Sequence, residues 1–283
     1  MTELNAEKQN EFISDLMSAD MAIRLAKSSP DKITNWDMPF LNFLSKELGN
    51  AEHESKSKIR DMIGAHRETF PLSPLFSDCT LLYPLGLCRK ETAVTQALAW
   101  LLSPSENHGL GNSLLCAFIQ AIPETDEKKA QLLRKVNSRV NVQSEYAIKD
   151  VGRVDVVVYG DDWVIVVEAK VDASEGKDQT VRYAKWYENE RYEPTFVYLT
   201  LDGARPNSDQ FLLVSYRQLA KQFIAALRIC TSAPGFGYAR LFTAGLLRDF
   251  CDIRPSGNIE TIIRSNSFEL EQLLSQEIFI ERK

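Results

Sequence analysis

The chain has 283 residues, 44% of them hydrophobic and 25% charged, with a formal net charge of −6, as expected for a globular protein built as one large domain or one domain with a helical addition. No stretch approaches the ~18 uninterrupted apolar residues of a membrane span, and the five scattered cysteines contain no C-x-x-C pair, which argues against a structural zinc site. We therefore expect a cytoplasmic protein that makes no membrane contact and whose acidic surface still has room for a local nucleic-acid groove.

The N-terminal part is predicted to be helical. Apolar residues recur at helical spacing over 6–28 and again over 37–64, where a charged stretch is typical of a solvated helical face. Three prolines in 70–89 then favour an irregular connection. The sequence thus predicts a helical N-terminal region at 1–87, a core domain at 88–230 and a helical C-terminal region at 231–283.

The core domain mixes helical and strand-like patterns. Helices surrounding several strands indicate an α/β sandwich with a mixed central sheet. Runs rich in valine and isoleucine predict the strands, and 3.6-residue periodicity predicts the helices. In chain order the predicted elements are helices at 91–102, 111–121 and 125–136, strands at 138–148, 152–159 and 163–169, a helix at 176–190, strands at 195–201 and 211–216, and helices at 216–230, 237–252 and 266–282.

Three charges lie at the ends of two predicted core strands. Asp155 interrupts "RVDVVVY", and Glu168 and Lys170 end "WVIVVEAK" on one face, two residues apart. The short turn around Asp161 and Asp162 favours antiparallel pairing, which brings Asp155 opposite the neighbourhood of Glu168. We therefore expect the three charges to converge on one edge of the sheet.

A converging Asp155 and Glu168 indicate a cation site, because two carboxylates are costly to bury without a positive charge between them. Mg²⁺ suits this position, since it takes carboxylate oxygens and waters and leaves sites for a substrate phosphate. Lys170 beside it could orient an attacking water or offset charge on the phosphate. The alternative is an ordinary salt bridge at a strand end.

These motifs resemble those of the PD-(D/E)XK nuclease superfamily. The matching segments are "GRVD" with Asp155, "VVEAK" with Glu168 and Lys170, "DQTVRYAKWY" with a Q-x-x-x-Y element, and "KETAVTQALAWLLSPSENHGLG" before them. The resemblance covers about 88–215. Val154 stands where the name-giving motif has proline, a position that binds no metal.

The resemblance implies an α-β-β-β-α-β core, that is, a restriction-endonuclease-like three-layer α/β/α sandwich with helical N- and C-terminal additions. It also implies a divalent metal held by Asp155, Glu168 and the backbone carbonyl of Ala169. Glu91 matches the helix glutamate that adds a ligand, although a helix N-terminus also favours a carboxylate for its dipole. Glu145 is a second candidate ligand, facing either the site or solvent.

Further candidates lie on the predicted helix after the third strand. Gln179 and Tyr183 are four residues apart and share a face, from which they could hydrogen-bond the Lys170 region or a DNA phosphate, or simply cap and pack. Three cations on or beside this helix could contact a phosphate backbone or form a solvated face: Arg182, Lys177 and Lys185.

The sequence therefore predicts a Mg²⁺-dependent nuclease that cleaves DNA, with Mn²⁺ able to substitute, in defence against foreign DNA or in DNA processing. A homodimer would be needed for double-strand cuts by single-site subunits. Two alternatives stay open: an RNA-directed nuclease, and a catalytically silent binding or regulatory module that docks a protein partner through its helical additions.

Overall fold

The computed structural model describes residues 37–136, 139–201 and 203–274. The predicted helix at 6–28 lies outside these residues, as does the end of the helix predicted at 266–282. The chain divides into two compact units, 1–61 and 62–283. No helix within the described segments is both long enough and apolar enough to cross a membrane.

In the described part of the chain, helices precede and follow the strands, and one further helix lies between the third and fourth strands. Helix α1 is longer than the prediction for 37–64, and the irregular connection after it contains short 3₁₀ turns at Pro74–Phe76 and Tyr83–Leu85. The helices are α1 (Asp37–Thr69), α2 (Glu91–Leu102), α3 (Ser113–Ala121), α4 (Asp126–Lys135), α5 (Gln179–Tyr187), α6 (Tyr216–Arg228), α7 (Phe236–Phe250), α8 (Ile259–Ile263) and α9 (Ser267–Leu274).

The strands form one five-stranded mixed sheet in the order β1-β2-β3-β4-β5. Strands β1, β2 and β3 pair antiparallel, and β4 and β5 continue parallel to β3. The chain passes through α5 between β3 and β4, the crossover that a parallel connection requires. The strands are β1 (Asn141–Ile148), β2 (Gly152–Tyr159), β3 (Trp163–Ala169), β4 (Glu193–Thr200) and β5 (Phe211–Ser215).

Strand β3 is the centre of the core. All of its residues are buried, so both faces of the sheet are covered at this strand. On one face, Val164 and Val166 pack in a cluster with Tyr183 and Tyr187 of α5. The alternation of helices and strands around a mixed sheet confirms the predicted α/β fold class. It also leaves the carboxyl end of β3 beside the start of β2, where the predicted charges lie.

Candidate active site

The β2–β3 hairpin brings Asp155 and Glu168 together. The antiparallel register pairs Val156 with Val167, so the next residues along the two strands are Asp155 and Glu168. The Asp155 carboxylate is fixed across the hairpin, because its Oδ2 accepts a hydrogen bond of 2.8 Å from the backbone N–H of Ala169. The rigid apolar strands thus set the spacing of the two acids.

The three predicted charges form a buried cluster. Asp155 and Lys170 are each 8% exposed, and Glu168 is fully buried. The Lys170 ammonium contacts Glu168 Oε1 and lies 3.5 Å from Oε1 of Glu91. Among the described residues, Glu168 Oε2 has no hydrogen-bond partner although it is buried. An orphaned, buried carboxylate oxygen is rare in proteins and calls for a functional explanation.

The pKa values of the two central carboxyl groups are raised chiefly because burial disfavours their charged forms. Burial raises the pKa of Asp155 to about 6, even though the Ala169 N–H favours its charged form. Burial, followed by the charge of Asp155, raises the pKa of Glu168 to about 8. Burial opposes the charge of Lys170, but Glu168 outweighs it, so the pKa of Lys170 is raised. A further cation would relieve both carboxyl groups.

Glu91 belongs to the same cluster. It is the first residue of α2, and its Oε2 accepts a 3.2 Å hydrogen bond from the backbone N–H of Val171. Two residues earlier, Arg89 makes a two-pronged contact with the carboxylate of Asp172, with its Nε 3.0 Å from Oδ2. The start of α2 therefore holds the segment that follows β3 and carries Lys170.

Glu145 lies on β1 at the position opposite Asp155, between the pairs Ser144–Val156 and Tyr146–Val154. Its φ of 54° is unusual for a residue other than glycine and interrupts the ladder at this point. One carboxylate oxygen forms a 2.8 Å ion pair with Arg153, and the other is buried without a partner among the described residues. The charge of Glu145 contributes to the raised pKa of Asp155.

Gln179 and Tyr183 form a short chain of hydrogen bonds beneath β2. The Gln179 amide donates to the Tyr183 hydroxyl at 3.0 Å, and that hydroxyl donates to the Arg153 carbonyl at 2.7 Å. Gly152 makes room for this contact, since a Cβ built there would lie 3.1 Å from the hydroxyl oxygen. Tyr183 is 1% exposed, so its side chain lies inside the core and holds β2 near Asp155, while its predicted contact with nucleic acid stays a prediction.

The three predicted phosphate-binding cations differ in their surroundings. The side chains of Lys177 and Lys185 are exposed. Arg182 is also exposed, but its guanidinium donates to the backbone carbonyls of Val151 and Lys177. Arg182 therefore fastens the loop before β2 to the start of α5.

The sequence did not predict two ion pairs of this region, that of Arg153 with Glu145 and that of Arg89 with Asp172. Arg153 stands two residues before Asp155, so strand alternation alone could have placed it beside the site. The pair of Arg89 and Asp172 joins residues 83 positions apart, and no local pattern signals such a contact.

The residues fit a hard divalent cation, although the described part of the chain contains no cluster of three or more His, Cys, Asp or Glu side chains arranged as a ready metal site. Asp155 and Glu168 supply carboxylate oxygens, the donors that Mg²⁺ and Mn²⁺ prefer, and the orphaned Oε2 of Glu168 is available. The Lys170 ammonium supplies the positive charge between the acids in this structure.

A comparison with family models matches residues 82–233 to one described as the PD-(D/E)XK nuclease superfamily. Neither the curated proteins nor the solved structures contain a match to this chain. The matched segment includes α2, all five strands and α5, and with them every residue of the cluster described above.

Proposed function

Because the chain belongs to the PD-(D/E)XK nuclease superfamily, we propose that it is a metal-dependent nuclease that hydrolyses phosphodiester bonds of DNA. The observation that carries this proposal is the buried pair of Asp155 and Glu168, which leaves one carboxylate oxygen without a partner. A fold that gained nothing from this pair would be more stable with apolar residues in its place. Foreign DNA, or DNA undergoing processing, is the biological substrate that we propose on family membership alone.

Asp155, Glu168 and the backbone carbonyl of Ala169 are the proposed ligands of Mg²⁺, for which Mn²⁺ would substitute. When bound, the ion would polarise the scissile phosphate and lower the pKa of a coordinated water. Lys170 would orient the attacking water and offset the negative charge that develops on the phosphate. Its raised pKa supports a charged ammonium, and hence an electrostatic role rather than that of a base.

The two other predicted ligands each have a cationic neighbour. Glu91 lies beside Lys170, and Glu145 forms an ion pair with Arg153. Glu168 also contacts a cation, so this alone excludes neither acid. Both oxygens of Glu91 have partners, the Val171 N–H and Lys170, so we leave Glu91 outside the central ligand set. Glu145, whose other oxygen is buried without a partner among the described residues, stays a proposed additional ligand. Gln179 and Tyr183 are proposed to act indirectly, by holding the Arg153 carbonyl and thus the strand that carries Asp155.

DNA is proposed to approach across the exposed side chains that surround this cluster. Arg153 has a side chain that is 61% exposed and lies next to Asp155 along β2. Lys177 and Lys185 add positive charge at the start and end of α5. Such cations would position the phosphate backbone without reading its sequence, so binding should weaken steeply with salt.

The test is a cleavage panel in Mg²⁺ and in Mn²⁺ with linear, circular, single-stranded, branched and modified DNA, together with RNA. We expect metal-dependent cleavage of at least one DNA, and a rate lower by about 10³-fold in Lys170→Ala. Lys135→Ala is the matched control, because Lys135 ends α4 and pairs with Asp162 at the turn of the hairpin, away from the cluster, and this variant should cleave at the wild-type rate.

Other outcomes of the panel would overturn parts of the proposal. Cleavage of RNA alone would make the protein an RNA-directed nuclease. No cleavage of any substrate would identify a silent binding module. Cleavage of both DNA strands would predict a homodimer, because a dimer supplies one site for each strand, and the oligomeric state should then be measured.

A further inference from the structure

We propose that Glu91 is a positioning residue that takes over the ammonium group of Lys170 when Glu168 turns to a metal ion. This inference rests on the proposed function, because it assigns Glu168 to the metal. It gives Glu91 a role different from the additional ligand that the sequence predicts.

The geometry around Lys170 points to two alternative acceptors. Its ammonium contacts Glu168 Oε1, and the Oε1 atom of Glu91 lies only 3.5 Å away on another element. The second oxygen of Glu91 accepts from the backbone N–H of Val171, at 3.2 Å. That bond fixes the Glu91 carboxylate with its remaining oxygen directed at Lys170.

The start of α2 is itself held in place. Arg89 donates two hydrogen bonds to the Asp172 carboxylate and a third, of 2.6 Å, to the backbone carbonyl of Asp249 on α7. Residues 89–91 therefore contact the segment 170–172 at three successive positions. Glu91 is a fixed acceptor, whereas the long side chain of Lys170 can move between partners.

A change of partner is required once a cation binds at Glu168. An ammonium and a divalent ion on the same carboxylate repel each other, and this repulsion is strong where water is excluded. Lys170 cannot simply turn to solvent at low cost, because it is 8% exposed and a buried ammonium without an acceptor is costly. Glu91 supplies the acceptor within the existing geometry.

The test is a double-mutant cycle on Mn²⁺ affinity, measured by calorimetry with wild type, Glu91→Gln, Lys170→Met and the double variant. Lys170→Met removes the competing ammonium, so Mn²⁺ should bind about 10-fold more tightly. Glu91→Gln leaves Lys170 with Glu168, so Mn²⁺ should bind about 5-fold more weakly. In the Lys170→Met background, Glu91→Gln should change the affinity by less than about 2-fold.

Two controls separate this role from a general loss of charge or structure. Glu193→Gln removes a carboxylate at the first residue of β4, where the side chain is 75% exposed and pairs with Lys135, and it should leave the affinity unchanged. Glu91→Asp keeps the charge on a shorter side chain and should restore part of the affinity. Thermal unfolding without metal should place Glu91→Gln, Glu91→Asp and Glu193→Gln within a few degrees of wild type, whereas Lys170→Met lowers the midpoint further because it leaves buried carboxylates without their cation.

The outcomes distinguish this inference from the proposed function. If wild type binds Mn²⁺ and Glu91→Gln weakens binding by the same factor with or without Lys170, Glu91 is a direct ligand or a remote charge, and the inference is wrong. If wild type does not bind Mn²⁺ at all, the proposed function fails, and the inference fails with it.

Discussion

The β2–β3 hairpin carries acidic residues at both of its ends, and the two ends differ in what surrounds the carboxylates. At the turn, Asp161 and Asp162 have side chains that are 59% and 65% exposed, and Asp162 lies 3.1 Å from Lys135. At the open end, Asp155 is 8% exposed and Glu168 is fully buried. Acidic residues of one hairpin are therefore exposed to water at the turn and buried inside the protein at the open end.

This difference shows which of the four acids cannot be explained by the requirements of folding. Exposed ion pairs such as that of Asp162 contribute between ~0 and 1 kcal/mol and serve a turn that must be polar in any case. Burying Asp155 and Glu168 side by side destabilises the fold and leaves an orphaned oxygen. The turn acids follow from folding alone, whereas the buried acids at the open end are what the proposed cation site would explain.

Of the substitutions that compare the two ends of the hairpin, the largest difference is expected in metal affinity. Asp155→Asn keeps an oxygen that can accept from the Ala169 N–H but removes the charge, so Mn²⁺ affinity should fall by at least about 100-fold, the upper end of the cost of losing a partner that only supports a ligand. Asp162→Asn removes the same charge at the turn and should change the affinity by less than about 2-fold. Equal effects of the two substitutions in calorimetry would contradict a site at the open end.

The next effect is on stability as a function of pH without metal. The pKa of Asp155 is about 6 in the folded protein, against ~3.9 for an unfolded aspartate, so the folded state binds more protons between these values. The free energy of unfolding should therefore fall as the pH rises through this interval, by about 3 kcal/mol from Asp155 alone. The raised pKa of Glu168 should extend the fall towards pH 8.

Urea unfolding in the presence of a chelator at pH 5 and pH 8 tests this expectation. Asp155→Asn should be more stable than wild type at both pH values, with about half the difference at pH 5 that it has at pH 8. If the free energy of unfolding of the two proteins depends on pH in the same way, the pKa of Asp155 is not raised and this expectation is wrong.

A smaller effect is expected from Tyr183→Phe, which keeps the buried ring but loses the hydrogen bond to the Arg153 carbonyl. We expect kcat to fall by about 10-fold with KM for DNA unchanged, and stability to fall by about 1 kcal/mol. A rise in KM with a weaker salt dependence and an unchanged kcat would instead indicate direct contact with nucleic acid.

The smallest effect is expected at the turn. Asp161→Asn and Asp162→Asn should each change the free energy of unfolding by less than ~0.5 kcal/mol, because these exposed pairs are screened by solvent and salt. Urea unfolding at neutral pH measures this. A loss above 2 kcal/mol in either variant would remove the distinction between the two ends.

Local patterns were sufficient for the hairpin and its register. Runs rich in valine and isoleucine predicted strands at 152–159 and 163–169, and the observed β2 and β3 have the same bounds, Gly152–Tyr159 and Trp163–Ala169. Because both faces of β3 are buried, the short polar turn rather than the apolar pattern sets the antiparallel register. That register brings Asp155 and Glu168 together.

Conformations and contacts set by distant parts of the chain could not be predicted in this way. The helix predicted from 176 begins only at Gln179, because Asp178 adopts a left-handed conformation with a φ of 49°. The burial of Tyr183 depends on how α5 packs on β2, and the positive φ of Glu145 depends on the sheet around it. Such features arise from tertiary packing, which overrides local propensity.

The most direct test of the central claim is the single-turnover rate of DNA cleavage in Mg²⁺ by wild type, Glu168→Gln and Asp162→Asn. Both variants change an acid to its amide on the same hairpin, one at the buried end and one at the exposed turn. If the buried cluster is the catalytic site, Glu168→Gln should cleave about 10³-fold more slowly than wild type while Asp162→Asn matches it. Cleavage by Glu168→Gln at the wild-type rate would contradict the assignment of this cluster as the active site.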